Sequence, residues 1–499
     1  MEDMCGALVV SRLSQDILWY IFSLNTFDDG DLLDSSHSID TENYFLTARH
    51  TSQVCAKWRS IIVSSSYIWA NIINLDHLNQ KSHYWRNEIL RRTGNCSLSI
   101  IATLRKGDLS SDFFISLIDL HWDRIRRLLL SVDSEYRNAR DPTWNILQRP
   151  APNMQLFSAH FPGNPVLLDT LFSNDAPSMD TLYTAYLGYK LSPPHFHSLR
   201  SLDISANPVG KGILHALSTM SLLEDLTLCK IADDDSYGRE YPKVNLPHLK
   251  YLHLSACLSN IAVLLDHITP TPGCLFTCWV LRESTLLSDS VISSFMCGFS
   301  AHFKNHLDTF ICRVIALVHD TDTFSLLTYH DQFPLLVNEE SSDFDFQMDF
   351  KCTQITEPIM EYMSSLGAVT SLRRLDLQLT MPNDLSNVAL SKLLYSLANI
   401  EKLQMTCCTI NSLMEIERRN YGKLLFPLLK RIRLLPNDEN ELCSASISCF
   451  LYQREKRGNP IKSIDLSQCD LAKDILALHF HPELEVVWST KMINFMDSL

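Results

Sequence analysis

The fold is decided by a short stretch that reads LRSLDISAN at residues 199–207. Apolar side chains stand at Leu199, Leu202 and Ile204, and the stretch closes on Asn207. Because successive side chains of a strand point to opposite faces, Leu202 and Ile204 are predicted to point into a core. Asp203 is then predicted to point to the opposite face of the sheet.

The same pattern recurs along most of the chain. Copies begin at Ile125, Met154, Met179, Leu223, Leu249, Leu372, Ile400, Leu429 and Ile461, with those at 125, 154 and 179 the weakest. Consecutive starts within 179–249 and 372–461 lie 20 to 32 residues apart. This is the period of leucine-rich repeats, each a strand plus a helix or turn. The sequence therefore predicts an α/β fold, a curved solenoid with a parallel sheet on its concave face.

Residues 258–371 fit this pattern poorly. Residues 258–268 are predicted to form a helix, and 274–281 a strand. Residues 344–350 alternate strictly between apolar and polar side chains, which predicts a second strand. We expect the segment to continue the solenoid with about four irregular repeats, while a separate inserted domain remains the alternative.

The alternation within each copy also predicts which side chains line the concave wall. They are Asp203, Asp225, Tyr251, His253, Asp345, Gln347, Asp349, Arg374, Asp376, Lys402, Gln404, Arg431, Arg433, Ser463 and Asp465. The wall turns from acidic to more basic toward the C-terminus. Our hypothesis is that it recruits a protein substrate with a mixed-charge surface, and that Lys402, Arg431 and Arg433 suit a phosphate. A solvated sheet face without a ligand is the alternative.

The composition excludes several classes of protein. The chain has 499 residues, only 14 of them glycine, and its formal net charge is −14. General nucleic-acid binding needs clustered Lys and Arg, which an acidic chain does not favour. The longest apolar stretch, at 274–281, is far shorter than the roughly 20 residues of a membrane helix. With no signal peptide in view, we expect a cytoplasmic or nuclear protein with reduced cysteines.

Enzyme and metal chemistry finds little support in the sequence. No phosphate-loop, hydrolase or zinc-finger motif occurs, and His267, Cys274 and Cys278 lack a fourth ligand at a finger-like spacing. Cys257, Cys408 and Cys469 end repeat strands and are predicted to pack as small apolar side chains. The short basic runs at 124–127 and 454–457 are predicted to lie in exposed loops. We therefore expect no metal, no cofactor and no catalysis.

Two amphipathic helices are predicted before the first repeat. The first covers residues 13–22, with Ser14 as a plausible N-cap and Asp16 in the first turn. Its apolar residues are predicted to fall on one stripe, formed by Ile17, Leu18, Ile21 and Phe22. Residues 50–64 form the second helix, and residues 25–43 between them form an acidic, polar loop. Two helices of this size bury too little surface to be an independent domain, so they must pack on the chain or on a partner.

These residues resemble an F-box, most closely the fungal type. The resemblance rests on Leu13-Ser14-Gln15-Asp16-Ile17-Leu18 with Ile21-Phe22, then Val54-Cys55-Ala56-Lys57-Trp58, then Ile68-Trp69. Ser14 and Asp16 stand where the family usually has Pro and Glu, and both preserve a good helix start. The acidic loop is longer than the usual connection.

The resemblance implies that the chain binds a Skp-type adaptor and, through it, a cullin–RING ubiquitin ligase. Carried over by position, the adaptor-binding residues are Leu13, Asp16, Ile17, Leu18, Ile21, Val54, Cys55 and Trp58. The implied organisation is an F-box at 10–72, linker helices and a first strand at 73–120, and the leucine-rich solenoid at 121–499. The implied function is the substrate receptor of an SCF-type ligase. A ubiquitin-independent interaction scaffold is the alternative.

Overall fold

The computed structural model has a mixed α/β architecture with a large, mostly parallel sheet. It describes residues 13–25, 42–136, 141–162, 166–190, 196–206, 212–230, 241–281, 287–310, 314–319, 323–329, 345–351, 353–379, 387–435, 444–468 and 484–488. The chain divides into two compact units, Met1–Leu249 and Lys250–Leu499. Most of the predicted acidic loop, together with Asn207 and Cys469, lies outside the described residues.

The first unit contains seven of the described helices and nine of the strands. The helices are α1 (Gln15–Leu24), α2 (Glu42–Val54), α3 (Ala56–Ser64), α4 (Ser66–Asn71), α5 (His83–Arg92), α6 (Leu109–His121) and α7 (Ile213–Leu217). The strands are β1 (Ile73–Asn74), β2 (Leu98–Leu104), β3 (Ile125–Val132), β4 (Leu156–His160), β5 (Val166–Leu167), β6 (Thr181–Ala185), β7 (Leu187–Gly188), β8 (Ser201–Ser205) and β9 (Asp225–Cys229).

The second unit contains the other described α-helices and strands. Its helices are α8 (Leu258–His267), α9 (Asp289–Thr309), α10 (Thr356–Ser365), α11 (Gly367–Thr370), α12 (Val388–Ser396), α13 (Cys407–Arg419) and α14 (Ser444–Lys456). Its strands are β10 (Tyr251–Ala256), β11 (Leu275–Val280), β12 (Val314–His319), β13 (Phe324–Tyr329), β14 (Phe346–Phe350), β15 (Arg374–Leu379), β16 (Lys402–Thr406), β17 (Arg431–Leu435), β18 (Ser463–Leu466) and β19 (Glu485–Trp488).

In the first unit, strands β1, β2, β3, β4, β6, β8 and β9 follow one another in that order across the sheet, and each neighbouring pair is parallel. The predicted alternation is confirmed here. Leu202 and Ile204 are buried, while Asp203 between them is partly exposed. Leu202 lies in register with Leu182 and Leu226, so leucines from three strands stack in one apolar layer.

The second unit departs from a simple parallel order. Its strands run β10, β11, β14, β13, β12, β15, β16, β17, β18 and β19 across the sheet. Strand β13 is antiparallel to both of its neighbours, β12 and β14. The expectation that residues 258–371 continue the solenoid with about four irregular repeats did not include a reversed strand, so the antiparallel direction of β13 departs from it. The strands predicted at 274–281 and 344–350 are confirmed as β11 and β14, and the helix predicted at 258–268 as α8.

Helix α9 packs closely on α8 in this irregular segment. A Cβ added at Gly298 of α9 would stand 2.6 Å from the Cβ of Leu265 in α8, so only glycine allows the two backbones this approach. The rings of Phe299 and Phe303 stack on the same helix and both contact Phe346 of β14. This aromatic core explains why the segment stays folded without the leucine pattern.

The helix predicted at 50–64 is in fact two helices. Helix α2 ends at Val54 and α3 begins at Ala56, with Cys55 in an extended conformation between them. The Cys55 thiol accepts a hydrogen bond from the backbone N–H of Trp58 at 3.5 Å, so it caps α3. The prediction missed this break because the apolar spacing of Val54, Trp58 and Ile61 continues across it.

The first arginine of each basic run has a structural role, whereas Glu455, Lys456 and Arg457 of the second run are exposed. Arg454 of α14 is fully buried, and its guanidinium donates to the backbone carbonyls of Leu425 and Phe426 at 2.7 and 2.8 Å. Arg124 donates in the same way to the carbonyl of Cys96 at 2.8 Å. The prediction of exposed loops for these two arginines is wrong, because carbonyls at turns need buried donors.

Candidate functional site

The N-terminal helices present an apolar surface to solvent. Helix α1 carries two apolar stripes, of which Leu18 and Phe22 face inward and are buried. Ile17, Tyr20, Ile21 and Leu24 recur at i, i+3, i+4 and i+7 and are exposed, at 48%, 58%, 39% and 57%. We call these four residues the exposed stripe. Exposed apolar patches of this kind typically mark interaction sites.

Several contacts hold α1 in place so that the exposed stripe faces outward. The Ser14 hydroxyl accepts from the backbone N–H of Ile17, which confirms Ser14 as the N-cap. The Lys57 ammonium of α3 donates to the carbonyl of Leu13 at 2.9 Å. The indole N–H of Trp19 donates to Ser65 at 2.9 Å, and the rings of Phe22 and Trp58 lie 5.0 Å apart.

The predicted adaptor-binding residues divide into three groups in the structure. Asp16, Ile17, Ile21, Val54 and Cys55 are exposed. Leu13 and Trp58 are partly exposed.

Leu18 is only 1% exposed and lies in the chain's own core, so its prediction as a contact residue is wrong. The cause is its position next to Ile17 on a helix whose apolar residues cover two faces rather than one.

Sequence reasoning missed other exposed apolar residues on these helices. They are Trp19, Tyr20, Leu24, Val63 and Tyr67. Tyr20 and Leu24 had a detectable signal, since they stand three and seven residues after Ile17 on one helical face. The Trp19 and Tyr67 rings lie 5.8 Å apart, and that pairing between α1 and α4 had no signal in the sequence.

A second surface lies on the sheet of the second unit. Arg374, Lys402 and Arg431 are in register at the starts of the neighbouring strands β15, β16 and β17. We call these three residues the basic row. Paired residues of neighbouring strands point to the same face of a sheet, so the three side chains share one side. Lys402 and Arg431 are exposed, and Arg374 is partly exposed.

A second row lies two residues further along the same face. It joins Asp376, Gln404, Arg433 and Asp465 in register. The Tyr329 hydroxyl of β13 donates a hydrogen bond to Asp376, and the Gln404 amide donates to the same carboxyl at 3.4 Å. The Arg433 guanidinium lies 3.4 Å from the Asp465 carboxylate.

Asp376 is 7% exposed, which corrects its prediction as an accessible wall residue. Burial raises the pKa of Asp376 to about 6, against the opposite effects of Tyr329, Arg374 and Arg433.

The predicted change from an acidic to a basic wall is interrupted within the second unit. Strands β12 and β13 lie between β14 and β15 and place Val314, Ala316, Leu327 and Tyr329 in one buried apolar cluster. Val314 is in register with Arg374 and with Tyr329, so this cluster shares a face with the basic row. Gln347 and Asp349 lie beyond the cluster, on β14, where they share a hydrogen bond of 2.6 Å. Asp345 precedes that strand.

The aromatic wall residues near β10 are packed against one another. The His253 ring stacks beside Tyr251 and meets the Trp279 ring edge-on at 4.9 Å. His253 is buried, so its prediction as an accessible wall residue is wrong. Burial lowers the pKa of His253 to about 4, which leaves the ring neutral at neutral pH.

The first unit contributes two predicted wall residues of different character. Asp225, at the start of β9, is exposed. Asp203 of β8 is partly exposed and accepts a hydrogen bond from the Ser205 hydroxyl at 3.2 Å. Burial raises the pKa of Asp203 to about 6.

Two further properties concern the part of the chain that the structure describes. No group of three or more His, Cys, Asp or Glu side chains there is arranged to hold a metal ion. Among the same residues, no helix combines the length and apolar character that a membrane crossing requires. No family model and no curated protein matches the chain.

Proposed function

We propose that this chain is the substrate-recognition subunit of an SCF-type ubiquitin ligase. In this proposal an F-box at residues 10–72 binds a Skp-type adaptor, and a leucine-rich solenoid at 121–499 recruits a protein substrate on its concave sheet face. The single observation that carries the proposal is the exposed stripe of α1, formed by Ile17, Tyr20, Ile21 and Leu24.

The exposed stripe supports adaptor binding in two ways. A helix that already buries Leu18 and Phe22 has no structural need for four further apolar residues in water. Their i, i+3, i+4 and i+7 spacing is the pattern by which a helix docks into the groove of another protein. The stripe also falls where the sequence resembles the F-box, so sequence and geometry favour the same partner.

The mechanism that we propose requires no catalysis by this chain. One region holds the adaptor, and through it the ligase, while another holds the target. Ubiquitin transfer then becomes a local event at high effective concentration. The receptor contributes affinity and orientation, and other subunits supply the chemistry.

Co-expression with a Skp-type adaptor and a pull-down test this proposal. We expect the wild-type chain to capture the adaptor, and the double variant Ile17→Asp, Ile21→Asp to lose capture, because two buried carboxylates would oppose docking. The control is Leu120→Asp, Val388→Asp, which changes two apolar residues outside the stripe that are each 75% exposed. Equal loss in both double variants, or no capture by a folded wild type, would refute adaptor binding. A target whose half-life does not depend on this protein would favour the scaffold function.

A further inference from the structure

The basic row is an unusual arrangement of like charges. Strands in a sheet lie about 4.8 Å apart, so Arg374, Lys402 and Arg431 fall on a line about 10 Å long. Within the described residues, neither Lys402 nor Arg431 forms an ion pair or a side-chain hydrogen bond. Like charges directly opposite each other on neighbouring strands destabilise a sheet. The fold therefore gains nothing from this pair of cations.

The residues immediately before the basic row show the opposite arrangement. Arg373, Glu401 and Lys430 precede Arg374, Lys402 and Arg431 by one position each. Arg373 donates to the Glu401 carboxylate at 3.0 Å, and Lys430 lies 3.8 Å from the same carboxylate. Arg373, Glu401 and Lys430 form a paired row of alternating sign immediately before the same three strands. At its centre the basic row has Lys402, whereas the paired row has the acid Glu401.

The nearby acids do not neutralise Lys402 or Arg431 either. Asp376 and Asp465 stand in the second row, where Arg433 lies between them in register with Gln404 and Asp465. Asp465 is within 3.4 Å of Arg433, and Asp376 is bonded to Tyr329 and Gln404. The exposed positive charge is thus concentrated at Lys402 and Arg431, in a chain whose net charge is −14.

We propose that the basic row binds an acidic segment of a partner protein in an extended conformation. This inference rests on the proposed function, because it assigns the class of target that the receptor's sheet face takes. An extended chain places alternate side chains about 7 Å apart on one side. Two carboxylates at positions i and i+2 therefore match a row of three cations about 10 Å long. The linear order of the cations favours such a segment over a single compact anion.

The test is a fluorescence anisotropy titration of the full chain with a labelled peptide of about ten residues in which Glu alternates with Ser. The comparison peptide carries Gln in place of Glu. We expect the Glu peptide to bind and the Gln peptide to bind at least about tenfold more weakly, because charge-assisted contacts are lost. Equal binding of both peptides would overturn the proposal. So would displacement of the Glu peptide by inorganic phosphate at an equal concentration of charge, since that marks a simple anion site.

Two double variants locate the binding. Lys402→Gln, Arg431→Gln removes two charges from the basic row and is expected to weaken Glu-peptide binding about tenfold. Arg373→Gln, Lys430→Gln removes the same charge from residues immediately before β15 and β17, where the cations are already paired with Glu401, and is expected to change affinity less than about twofold. Equal losses would show a general charge effect and overturn the assignment. All four residues lie at strand starts, and circular dichroism checks that each variant is folded.

This assay contains no adaptor, so it separates the two proposals. Peptide binding by a chain that fails to capture the adaptor would refute the proposed function and support the basic row as a peptide site. Adaptor capture by a chain that does not bind the Glu peptide would refute only the proposal that the basic row is a peptide site.

Discussion

The exposed stripe of α1 and the basic row of β15–β17 differ both in the chemistry of their side chains and in their secondary structure. The stripe is apolar and belongs to one helix whose other face is buried at Leu18. The basic row is charged and is assembled from three strands whose other faces are buried at residues such as Leu403 and Ile432. In both, some side chains pack in the core, while Ile17 and Ile21 of the stripe and Lys402 and Arg431 of the row stay exposed. The comparison shows that a side chain buried in the core and a side chain available for contact can be neighbours in the sequence, as Leu18 and Ile17 are.

The largest expected effect separates the two faces of α1. Leu18→Ala should lower the free energy of unfolding by about 3 kcal/mol, because it leaves a cavity in the core. Ile17→Ala, one residue away and about half exposed, should cost less than about 1 kcal/mol in stability yet weaken adaptor capture. Urea unfolding and the adaptor pull-down measure the two quantities. A stability loss for Ile17→Ala as large as that for Leu18→Ala would remove the distinction between the faces.

The second prediction concerns Asp203, an acid on the polar face of the first unit's sheet. We expect its ionised carboxylate to lower the free energy of unfolding. The pKa of Asp203 is raised to about 6 by burial, so its carboxylate is disfavoured in the folded state. The stability that protonated Asp203 contributes is full below its unfolded pKa and is lost as the pH rises through about 6. Asp203→Asn should therefore stabilise the protein by about 1–2 kcal/mol above that pH, with little gain near pH 4.

Urea unfolding of wild type and variant at pH 4 and pH 7.5, values chosen roughly two units either side of the transition, measures this gain. Ser205→Ala is the matched control. It removes the hydrogen bond that lowers the pKa of Asp203 and should destabilise the protein more at the higher pH. A gain for Asp203→Asn that is the same at both pH values would contradict the titration of Asp203.

Much of the sheet could be predicted from the sequence. The repeated spacing that begins at Leu199 and Leu429 marks strands whose alternate residues are buried, because period-two patterning determines the face of each side chain. The reversal at β13 could not be predicted. Strands β12 and β13 bury residues on both faces, so their side chains carry no alternation. The direction of such a strand depends on its tertiary partners.

The candidate sites were predicted to a different extent. Arg374, Lys402 and Arg431 could be assigned to one face from their repeat positions. The sequence did not show that Glu401 pairs with Arg373 and Lys430 rather than with Lys402 and Arg431. That choice depends on the register between strands, which a single sequence does not give. Leu18 and Asp376 were misassigned for a shared reason. Periodicity gives the face of a side chain but not what covers that face.

The third prediction contrasts the two surfaces directly through ionic strength. Raising salt from about 50 mM to about 500 mM shortens the screening length about threefold. Glu-peptide binding at the basic row should then fall about tenfold, because Lys402 and Arg431 are exposed. Adaptor capture through the apolar stripe should change less than about twofold. Anisotropy titrations and quantitative pull-downs over the same salt series provide the comparison, and equal sensitivity of the two would show that they do not differ in chemistry.

The smallest expected effect concerns Asp376, the buried acid beside the basic row. It faces the Tyr329 hydroxyl from β13, Arg374 on its own strand, Gln404 from β16 and Arg433 from β17. Since its pKa is raised to about 6, the carboxyl loses its negative charge as the pH falls through that value. Binding of the Glu peptide should tighten about threefold between about pH 7.5 and pH 5, where glutamates with a pKa near 4.3 remain largely ionised.

Asp376→Asn should remove most of that pH dependence and bind the peptide at the higher pH as tightly as the wild type does at the lower. Asp349→Asn is the control, because it removes an acid from β14, on the far side of the apolar cluster from the basic row. Anisotropy titrations across the pH range measure both variants. If Asp376→Asn keeps the wild-type profile, another group titrates near the row. If Asp349→Asn flattens it equally, the effect comes from net charge rather than from the carboxyl beside Arg374.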